Sequence, residues 1–327
     1  MNKEEIVKAL NYSGAQQEEL FKKARLVRNK YYDQSAILRG VIEITNLCRV
    51  NCDYCPMRRD NSKNNKVYTL NDEVKILEAV KEIKKNGINI VFFQAGEVPG
   101  TTKLIGNIIP KIKEMYDNDV EILLNLGIKS KKEYQYLYDQ GATSYILKHE
   151  TSDSDLHLKL RHEPLEGRIQ AIKDLIDIGF KVGTGMIVGL PGQTIDSIAE
   201  DILLAKELGV HMCSVSPFVP APNTPLENVP NGSSEISLNA ISIMRLVSPH
   251  WLIPSVSALE KNGTGGQKLG FNAGSNVMTI NFTPTSESEK YLIYGKDRFV
   301  VKTQYARKLL ESVNLKPRKS VFVTTGL

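Results

Sequence analysis

Three cysteines lie within eight residues of one another, and the spacing of Cys48, Cys52 and Cys55 is C-x3-C-x2-C. Three thiolates on one short loop can hold one face of an iron-sulfur cube. A fourth thiolate is missing nearby, because Cys213 is the only other cysteine of the chain. An incomplete ligand set leaves one metal position open for a small molecule, which is typical of a catalytic metal site. The spacing therefore predicts a reactive cluster.

Two other interpretations of the cysteines have to be weighed. A structural zinc site normally completes four ligands from spaced pairs, whereas the candidate histidines His149 and His157 lie about a hundred residues further along the chain. Three buried thiols without a metal are the second alternative. The polar neighbours Arg49, Asp53 and Arg58 argue against such burial.

The elements that must position the cysteines follow a regular alternation. From residue 40 onward, short runs rich in Val and Ile alternate with longer amphipathic stretches. The runs predict eight strands, at 40–45, 88–93, 120–125, 143–147, 181–188, 212–217, 252–257 and 276–281. Helices are predicted from Asn71 to Gly87, over 165–178 before Gly179, and over 195–208 before Gly209.

Eight strand-helix units predict an α/β protein with parallel strands, a (β/α)8 TIM-type barrel. An open doubly wound sheet is the alternative, but it would carry a Gly-rich phosphate turn where this chain has its cysteines. Leu20, Phe21, Ala24, Val27 and Tyr31 recur with helical spacing and predict an N-terminal helical extension. We expect a helical segment at 1–38 and a barrel with a C-terminal helix at 39–327, in which 228–235 forms a long loop.

Composition excludes several classes of protein. The 327 residues carry 42 Lys and Arg against 37 Asp and Glu, a net charge of +5, and 41% of them are hydrophobic. This is ordinary globular composition, and the scattered basic residues do not indicate a nucleic-acid partner. The chain has no apolar stretch of 18 residues and no signal-peptide core at its N-terminus, so a cytoplasmic protein without a membrane partner is expected.

The cysteine motif, with the aromatic Tyr54 directly before the third cysteine at the end of the first predicted strand, resembles that of the radical S-adenosylmethionine (SAM) superfamily. The resemblance implies that Cys48, Cys52 and Cys55 bind one 4Fe-4S cluster and are catalytic. It also implies that SAM chelates the fourth iron and that a reducing electron donor supplies an electron. SAM is then cleaved to a 5′-deoxyadenosyl radical.

Further matches stand at the ends of later strands, where a β/α barrel carries its binding residues. The segments that resemble the superfamily are "QAGEVPG", "LKHETSDSDLHLKLR" and "GTGMIVGLPGQT". Together with Tyr54, they imply SAM-binding roles for Gly96, Glu97, Glu150, Arg168, Ile187 and Gly189. Within this set the resemblance gives Glu150 the ribose hydroxyls and Arg168 the methionine carboxylate. Without the resemblance, each charged residue would be read as a surface ion pair and each glycine as part of a plain turn.

From about residue 20 to 318 the chain resembles the group that contains biotin synthase, the hydrogenase maturase HydE and the methylornithine synthase PylB. "CPMRRDN", "VGLPGQT" and "SPFVPAPNTPL" look most like HydE, and the HmdB-type branch is a competitor. Gly183 and Thr184 stand where biotin synthase holds a second cluster, so a single cluster is implied. Val98 and Ala221 depart from HydE, and Val98, Ser214 and Ala258 lack the charges of methylornithine synthase.

The implied function is radical SAM catalysis in hydrogenase metal-cofactor maturation or biosynthesis. A radical mutase or synthase acting on a small metabolite and a non-catalytic iron-sulfur scaffold are the alternatives. The substrate is expected to be a small molecule or a small metal complex, contacted by residues near strand ends: Arg58, Ser214, Ser216, Ser255, Ser257 and Asn276. The serines can equally satisfy backbone groups, and Cys213 is expected to be a small buried apolar residue.

Overall fold

A curled parallel sheet is the centre of the protein. The computed structural model describes residues 1–63, 67–263, 265–285 and 299–323. Its strands are β1 Ser35–Thr45, β2 Ile90–Ala95, β3 Glu121–Asn125, β4 Ser144–Ile146, β5 Lys181–Val188, β6 Met212–Pro217, β7 Val277–Asn281 and β8 Lys316–Arg318. They run in the order β6-β5-β4-β3-β2-β1-β7, with β8 beside β1, and all these pairs are parallel. The α/β class with parallel strands is confirmed.

Residues 252–257 do not form the continuous strand that the sequence predicts. Leu252 forms an isolated bridge to Met212 on β6, and Pro254 forms another to Val277 on β7. These bridges join the two outer strands, so the eighth position of the barrel is a short linking segment. The reason is local, because Pro254 has no N–H to donate and Ser257 already begins a 3-10 helix, Ser257–Asn262.

The helices lie outside this sheet. They are α1 Lys3–Leu10, α2 Gly14–Tyr32, α3 Glu73–Lys85, α4 Thr101–Met115, α5 Lys131–Asp139, α6 Ser154–Arg161, α7 Leu165–Ile178, α8 Ile195–Glu207, α9 Ser234–Val247, α10 Gly266–Asn272 and α11 Thr303–Ser312. The end of α7 at Gly179, with φ 110°, matches its prediction, whereas α3 is capped by Asp72 rather than Asn71. No helix in the described ranges is both long and apolar enough to cross a bilayer.

The N-terminal helices join the barrel directly. Asp33 and Gln34 have φ of 47° and 52° and reverse the chain between α2 and β1, which begins at Ser35 rather than near residue 40. Leu10 of α1 and Phe21 of α2 belong to the same apolar cluster as the outward faces of the strands. The helical extension therefore shares the core of the barrel.

A second apolar cluster fills the inside of the sheet at the N-terminal ends of the strands. Side chains alternate along a strand, so Ile37 and Val41 point inward while their neighbours face the helices. The inward cluster comprises Tyr32, Ile37, Val41, Ile90, Phe92, Leu123, Met212, Leu252 and Val277, with Val321 and Phe322 of the C-terminal segment packed against it. We call this cluster the barrel floor; above it the interior is open.

Candidate functional site

The three motif cysteines lie on one loop after β1, at the C-terminal end of the sheet. This cysteine loop, residues 46–58, folds on itself because Cys55 N–H donates to Cys52 O at 3.3 Å and Arg58 N–H donates to Cys55 O at 3.1 Å. Cys52 is buried and Cys48 and Cys55 are partly exposed, all as free thiols. The loop therefore brings the cysteines to the edge where the sequence predicted a binding site.

Among the described residues, no three or more His, Cys, Asp and Glu side chains lie close enough together to hold one metal ion. A structural zinc site draws four ligands onto one ion. An iron-sulfur cube has a different requirement, because each thiolate binds a separate iron. Three thiols spread along one loop fit that donor set.

Gly96 fits closely against the cysteine loop. A Cβ placed on Gly96 would lie 1.8 Å from the carbonyl oxygen of Leu47. The glycine also lets Glu97 N–H approach Cys48 Sγ, at 3.4 Å, and lets Arg49 N–H donate to Glu97 O at 2.9 Å. The Gly-Glu pair thus supports the loop through backbone contacts.

Four charged side chains surround this contact and form what we call the arginine-glutamate network, Arg49, Glu97, Arg161 and Glu163. Arg161 is buried and pairs with Glu97 Oε2 and Glu163 Oε2, each at 3.2 Å, while Arg49 pairs with both acids from the other side. Glu97 also accepts from Ile128 N–H at 2.8 Å. Its carboxylate is therefore held within the protein, away from the cavity.

Arg161 also reaches the cysteines, since its Nη1 lies 3.2 Å from Cys52 Sγ. Burial raises the pKa of the Cys52 thiol, and the Arg161 guanidinium partly offsets that rise. Burial raises the pKa of Cys55 as well, with the neighbouring cysteines adding to the effect. Metal ligation would have to displace these protons, and a nearby cation favours the thiolate that results.

A cavity of about 340 Å³ opens beneath the loop, between the barrel floor and the C-terminal strand ends. Tyr54 and Cys55 line it from the cysteine loop. Four predicted substrate residues, Ser214, Ser216, Ser255 and Ser257, line it as well. The hydroxyl of Ser255 is already engaged, donating to Gln267 O at 2.7 Å.

The cavity also contains charges that the sequence did not assign to it. Arg39 and Glu43 both line it from β1. Arg39 is buried, its Nη2 lies 3.1 Å from Met212 Sδ, and its Nε has no hydrogen-bond partner within the described chain. Burial lowers the pKa of Arg39 to about 10. Charged residues at alternating positions of an apolar strand were the signal, but the predicted strand began at Gly40, whereas β1 begins at Ser35, so Arg39 fell outside it.

Tyr54, Glu150 and Ile187, to which the resemblance gives roles in SAM binding, all line the cavity, and we call their part of its wall the rim. Tyr54 packs on a small apolar cluster that includes Ile187, Leu160 and Phe218. Glu150 is 13% exposed and lies 3.0 Å from Lys148 Nζ. The rim thus places apolar side chains beside a carboxylate, which suits an adenine base next to ribose hydroxyls.

Arg168 lies behind Glu150, where its Nε donates to Lys148 O. Its Nη1 is buried and has no hydrogen-bond partner in the described part of the chain. A buried guanidinium with an unused donor suits a ligand carboxylate. Neither Arg168 nor Gly189 lines the cavity. Gly189 has φ 91° and packs on Gly232, where a Cβ would lie 2.4 Å from Cα.

Two predicted substrate residues lie apart from the cavity. Arg58 is buried against Asn51, Asp53 and Asp60, on the outer side of the cysteine loop. Asn276 precedes β7 at the N-terminal end of the sheet, where its Oδ1 accepts from Arg245 Nη2 and Ile253 N–H, both at 2.8 Å. The interactions of both residues belong to the fold.

Comparison with known proteins gives consistent results. The family model described as the radical SAM superfamily matches residues 42–205. The FeFe hydrogenase maturase subunit HydE of Thermotoga maritima is 35% identical over 320 residues, covering 94% of this chain and 90% of that protein. The 3-methylornithine synthase of Methanosarcina barkeri is 28% identical over 86% of this chain and 79% of its own length.

A solved structure shares the fold. The crystal structure of methylornithine synthase (PylB) superposes with a TM-score of 0.84 at 26% identity, over 97% of this chain and 94% of that chain. The curled parallel sheet with its outer helices is therefore an architecture already seen by crystallography.

Proposed function

Because the chain belongs to the radical SAM superfamily and is a radical SAM enzyme, we propose that it cleaves SAM to a 5′-deoxyadenosyl radical in the maturation or biosynthesis of a hydrogenase metal cofactor. One observation carries the cofactor assignment: three free thiols lie on a single loop beside a cavity that Cys55 lines. We propose Cys48, Cys52 and Cys55 as the ligands of one 4Fe-4S cluster. Cys213 faces the outer helices from β6, which supports a single cluster.

The residues around the loop would bind SAM and support the cluster. When bound and reduced, the cluster supplies one electron that breaks a C–S bond of SAM. Glu150 would accept hydrogen bonds from the ribose, Arg168 would pair with the methionine carboxylate, and Tyr54 and Ile187 would pack on the adenine. The arginine-glutamate network would hold the cysteine loop in place, and the apolar floor would keep water from the reacting atoms.

Hydrogenase maturation is proposed because HydE of Thermotoga maritima is the relative with 35% identity over nearly the whole chain. Val98 and Ala221 depart from HydE, which leaves an HmdB-type branch as the neighbouring possibility. A cavity of about 340 Å³ fits a small molecule or a small metal complex. We further propose a cytoplasmic location and a separate one-electron donor, since four free thiols suit a reducing compartment.

A second candidate is a mutase or synthase acting on a small zwitterionic metabolite. The charges that methylornithine synthase uses are absent at Val98, Ser214 and Ala258. The cavity nevertheless carries both signs of charge, because Arg39 and Glu43 line it from β1. A carboxylate and an ammonium group could therefore both find partners inside the barrel.

Iron binding tests the cofactor assignment. Anaerobic reconstitution should give about four irons per chain in the wild type, as one cube requires. Replacing the three loop cysteines by Ala should abolish iron binding, whereas the matched control Cys213→Ala should retain it. Iron retained by the triple variant would contradict the proposal.

Product analysis tests the reaction. Reduced wild-type protein should convert SAM to 5′-deoxyadenosine, measured by liquid chromatography, and Glu150→Gln and Arg168→Gln should slow this conversion. A non-catalytic scaffold would bind iron without any cleavage, and formation of methylthioadenosine alone would exclude the radical mechanism.

Complementation separates the two pathways. A hydrogenase-maturation extract that lacks HydE should regain hydrogenase activity when this protein is added, and should not when the triple cysteine variant is added. If activity does not return but an amino acid accelerates SAM cleavage, the second candidate is the correct one.

A further inference from the structure

Asp201 of α8 lies beneath the two turns that carry the proposed SAM-binding residues. We call residues 147–153 the β4 turn and residues 187–194 the β5 turn. Asp201 is fully buried, and its Oδ1 accepts from Ser152 N–H of the β4 turn at 2.5 Å. Its Oδ2 accepts from Gln193 Nε2 of the β5 turn at 3.4 Å. One carboxylate thus joins both turns.

Gln193 extends this contact to the end of β5. Its Oε1 accepts from Gly189 N–H at 2.7 Å and from Leu190 N–H at 3.3 Å. Its Nε2 also donates to Ile187 O at 2.8 Å. The orientation of the Gln193 amide, which Asp201 contacts, therefore decides where Ile187 and Gly189 lie.

Glu150 depends on the same support. It has φ 69°, a left-handed conformation that costs a residue other than glycine free energy unless its surroundings enforce it. Its N–H donates to Gly185 O and its carbonyl accepts from Ile187 N–H, both at 2.9 Å. Ser152, held by Asp201, follows two residues later.

His149 faces Asp201 from the β4 turn and is also fully buried. The Thr184 hydroxyl donates to Leu147 O, so it accepts from His149 Nδ1 at 2.9 Å, and Nε2 is left as the acceptor. Nε2 has no hydrogen-bond partner in the described chain and lies 3.8 Å from Asp201 Oδ1. A protonated Asp201 could therefore donate to His149, whereas an ionised Asp201 accepts from Ser152 and Gln193.

We propose that Asp201, with His149 as its alternative partner, is a positioning residue that holds the β4 and β5 turns in the geometry that binds the nucleoside part of SAM. The inference rests on the proposed function, because it assumes that these turns bind SAM. It assigns a task to two buried polar residues that neither ligate the cluster nor line the cavity.

The proposal implies a pH dependence with a definite sign. Burial raises the pKa of Asp201 to about 7, and the nearby carboxylates of Glu200 and Asp153 contribute to the rise. The other titratable groups facing it are His149, whose pKa burial lowers to about 3, and the buried thiol of Cys213 on β6. Above pH 7 the carboxylate is ionised and holds both turns; below pH 7 it gains a proton and turns to His149.

SAM affinity tests the inference. In reconstituted wild-type protein, anaerobic equilibrium dialysis should show about tenfold weaker SAM binding at pH 6 than at pH 8, as expected one unit below the Asp201 pKa. The isosteric Asp201→Asn places an amide donor against Gln193 Nε2. Its dissociation constant at pH 8 should rise about tenfold, a typical loss for a residue that orients a ligand group, and should no longer vary with pH.

Two further measurements keep the outcome decisive. Glu121→Gln removes an equally buried carboxylate on β3, at the opposite end of the barrel, and should keep the wild-type affinity and pH profile. Amides of Ser152 and Gly189 should exchange hydrogen faster in Asp201→Asn than in Glu121→Gln without SAM. Wild-type protein that binds no SAM would overturn both proposals, whereas unchanged affinity in Asp201→Asn would overturn only this one.

Discussion

Arg161 contacts several side chains around the cysteine loop. It pairs with Glu97 beside the β2 end, with Glu163 after α6, and with the Cys52 thiol. Three segments distant in sequence therefore meet on one guanidinium. Because Glu97 and Arg161 are both buried, neither charge has solvent to replace its partner.

Replacing Arg161 by Gln is expected to lower the free energy of unfolding by about 3 kcal/mol, because it leaves Glu97 with a weakened set of partners. Guanidinium unfolding of the cluster-free protein measures this loss, and reconstitution should yield fewer irons per chain. The control Arg59→Gln removes a cation that is exposed on the same side of the protein and should change stability by less than about 0.5 kcal/mol. Equal stability of the two variants would contradict the role of Arg161.

The residues of the site differ in how far sequence could identify them. Cys48, Cys52 and Cys55 form a local motif, so their spacing alone predicted an iron-sulfur site, whereas the role of Tyr54 and the use of SAM came from the resemblance to the radical SAM superfamily. The ion pair between Arg161 and Glu97 depends on which strand ends lie side by side. The spacing of residues along the sequence does not encode that arrangement. Arg39 was missed for a simpler reason, because the predicted strand began at Gly40, directly after it.

At the scale of elements, Gly96 decides how closely β2 approaches the cysteine loop. Gly96→Ala is expected to displace the loop, since a Cβ would overlap the Leu47 carbonyl at 1.8 Å. We expect a loss of at least about 2 kcal/mol in the free energy of unfolding and reduced iron content.

Gly167→Ala is the matched control for this change. Gly167 lies in α7 and a Cβ there meets no atom within 4 Å, so the substitution should stabilise the protein by up to about 1 kcal/mol. Denaturant unfolding of both variants checks the pair. A Gly96→Ala protein with wild-type stability and iron content would show that the cysteine loop can shift without any loss of stability.

The helix ends were predictable because their signals are local. Gly179 directly follows α7 and Gly209 lies two residues after the end of α8, and both have positive φ, as their place before a strand indicated. The 252–257 segment was not predictable in the same way, since its apolar residues read as a strand. Only the fold shows that Leu252 and Pro254 bridge different neighbours.

At the scale of the whole molecule, Asn239 of α9 ties the N-terminal helices to the barrel. Its Nδ2 donates to Leu10 O at 3.0 Å and Tyr12 O at 2.8 Å, and its Oδ1 accepts from Gln17 Nε2 at 3.0 Å. Asn239→Ala leaves these groups without their partner. It should lower the free energy of unfolding by about 2 kcal/mol.

Urea unfolding followed by circular dichroism measures this loss. The exposed Asn107→Ala on α4 is the control, with an expected change within about 0.5 kcal/mol. If Asn239→Ala lost no stability, the N-terminal helices would be attached chiefly by the apolar contacts of Leu10 and Phe21.

The barrel floor has a kinetic consequence. Val321 and Phe322 pack against the barrel floor from below. As far as the described residues show, a molecule therefore enters the cavity from the side of the rim. Tyr54, Glu150 and Ile187 at the rim are the side chains proposed to contact SAM. If these side chains hold SAM as proposed, bound SAM would occupy part of this entrance, so we expect substrate to enter before SAM and the nucleoside product to leave before the transformed substrate.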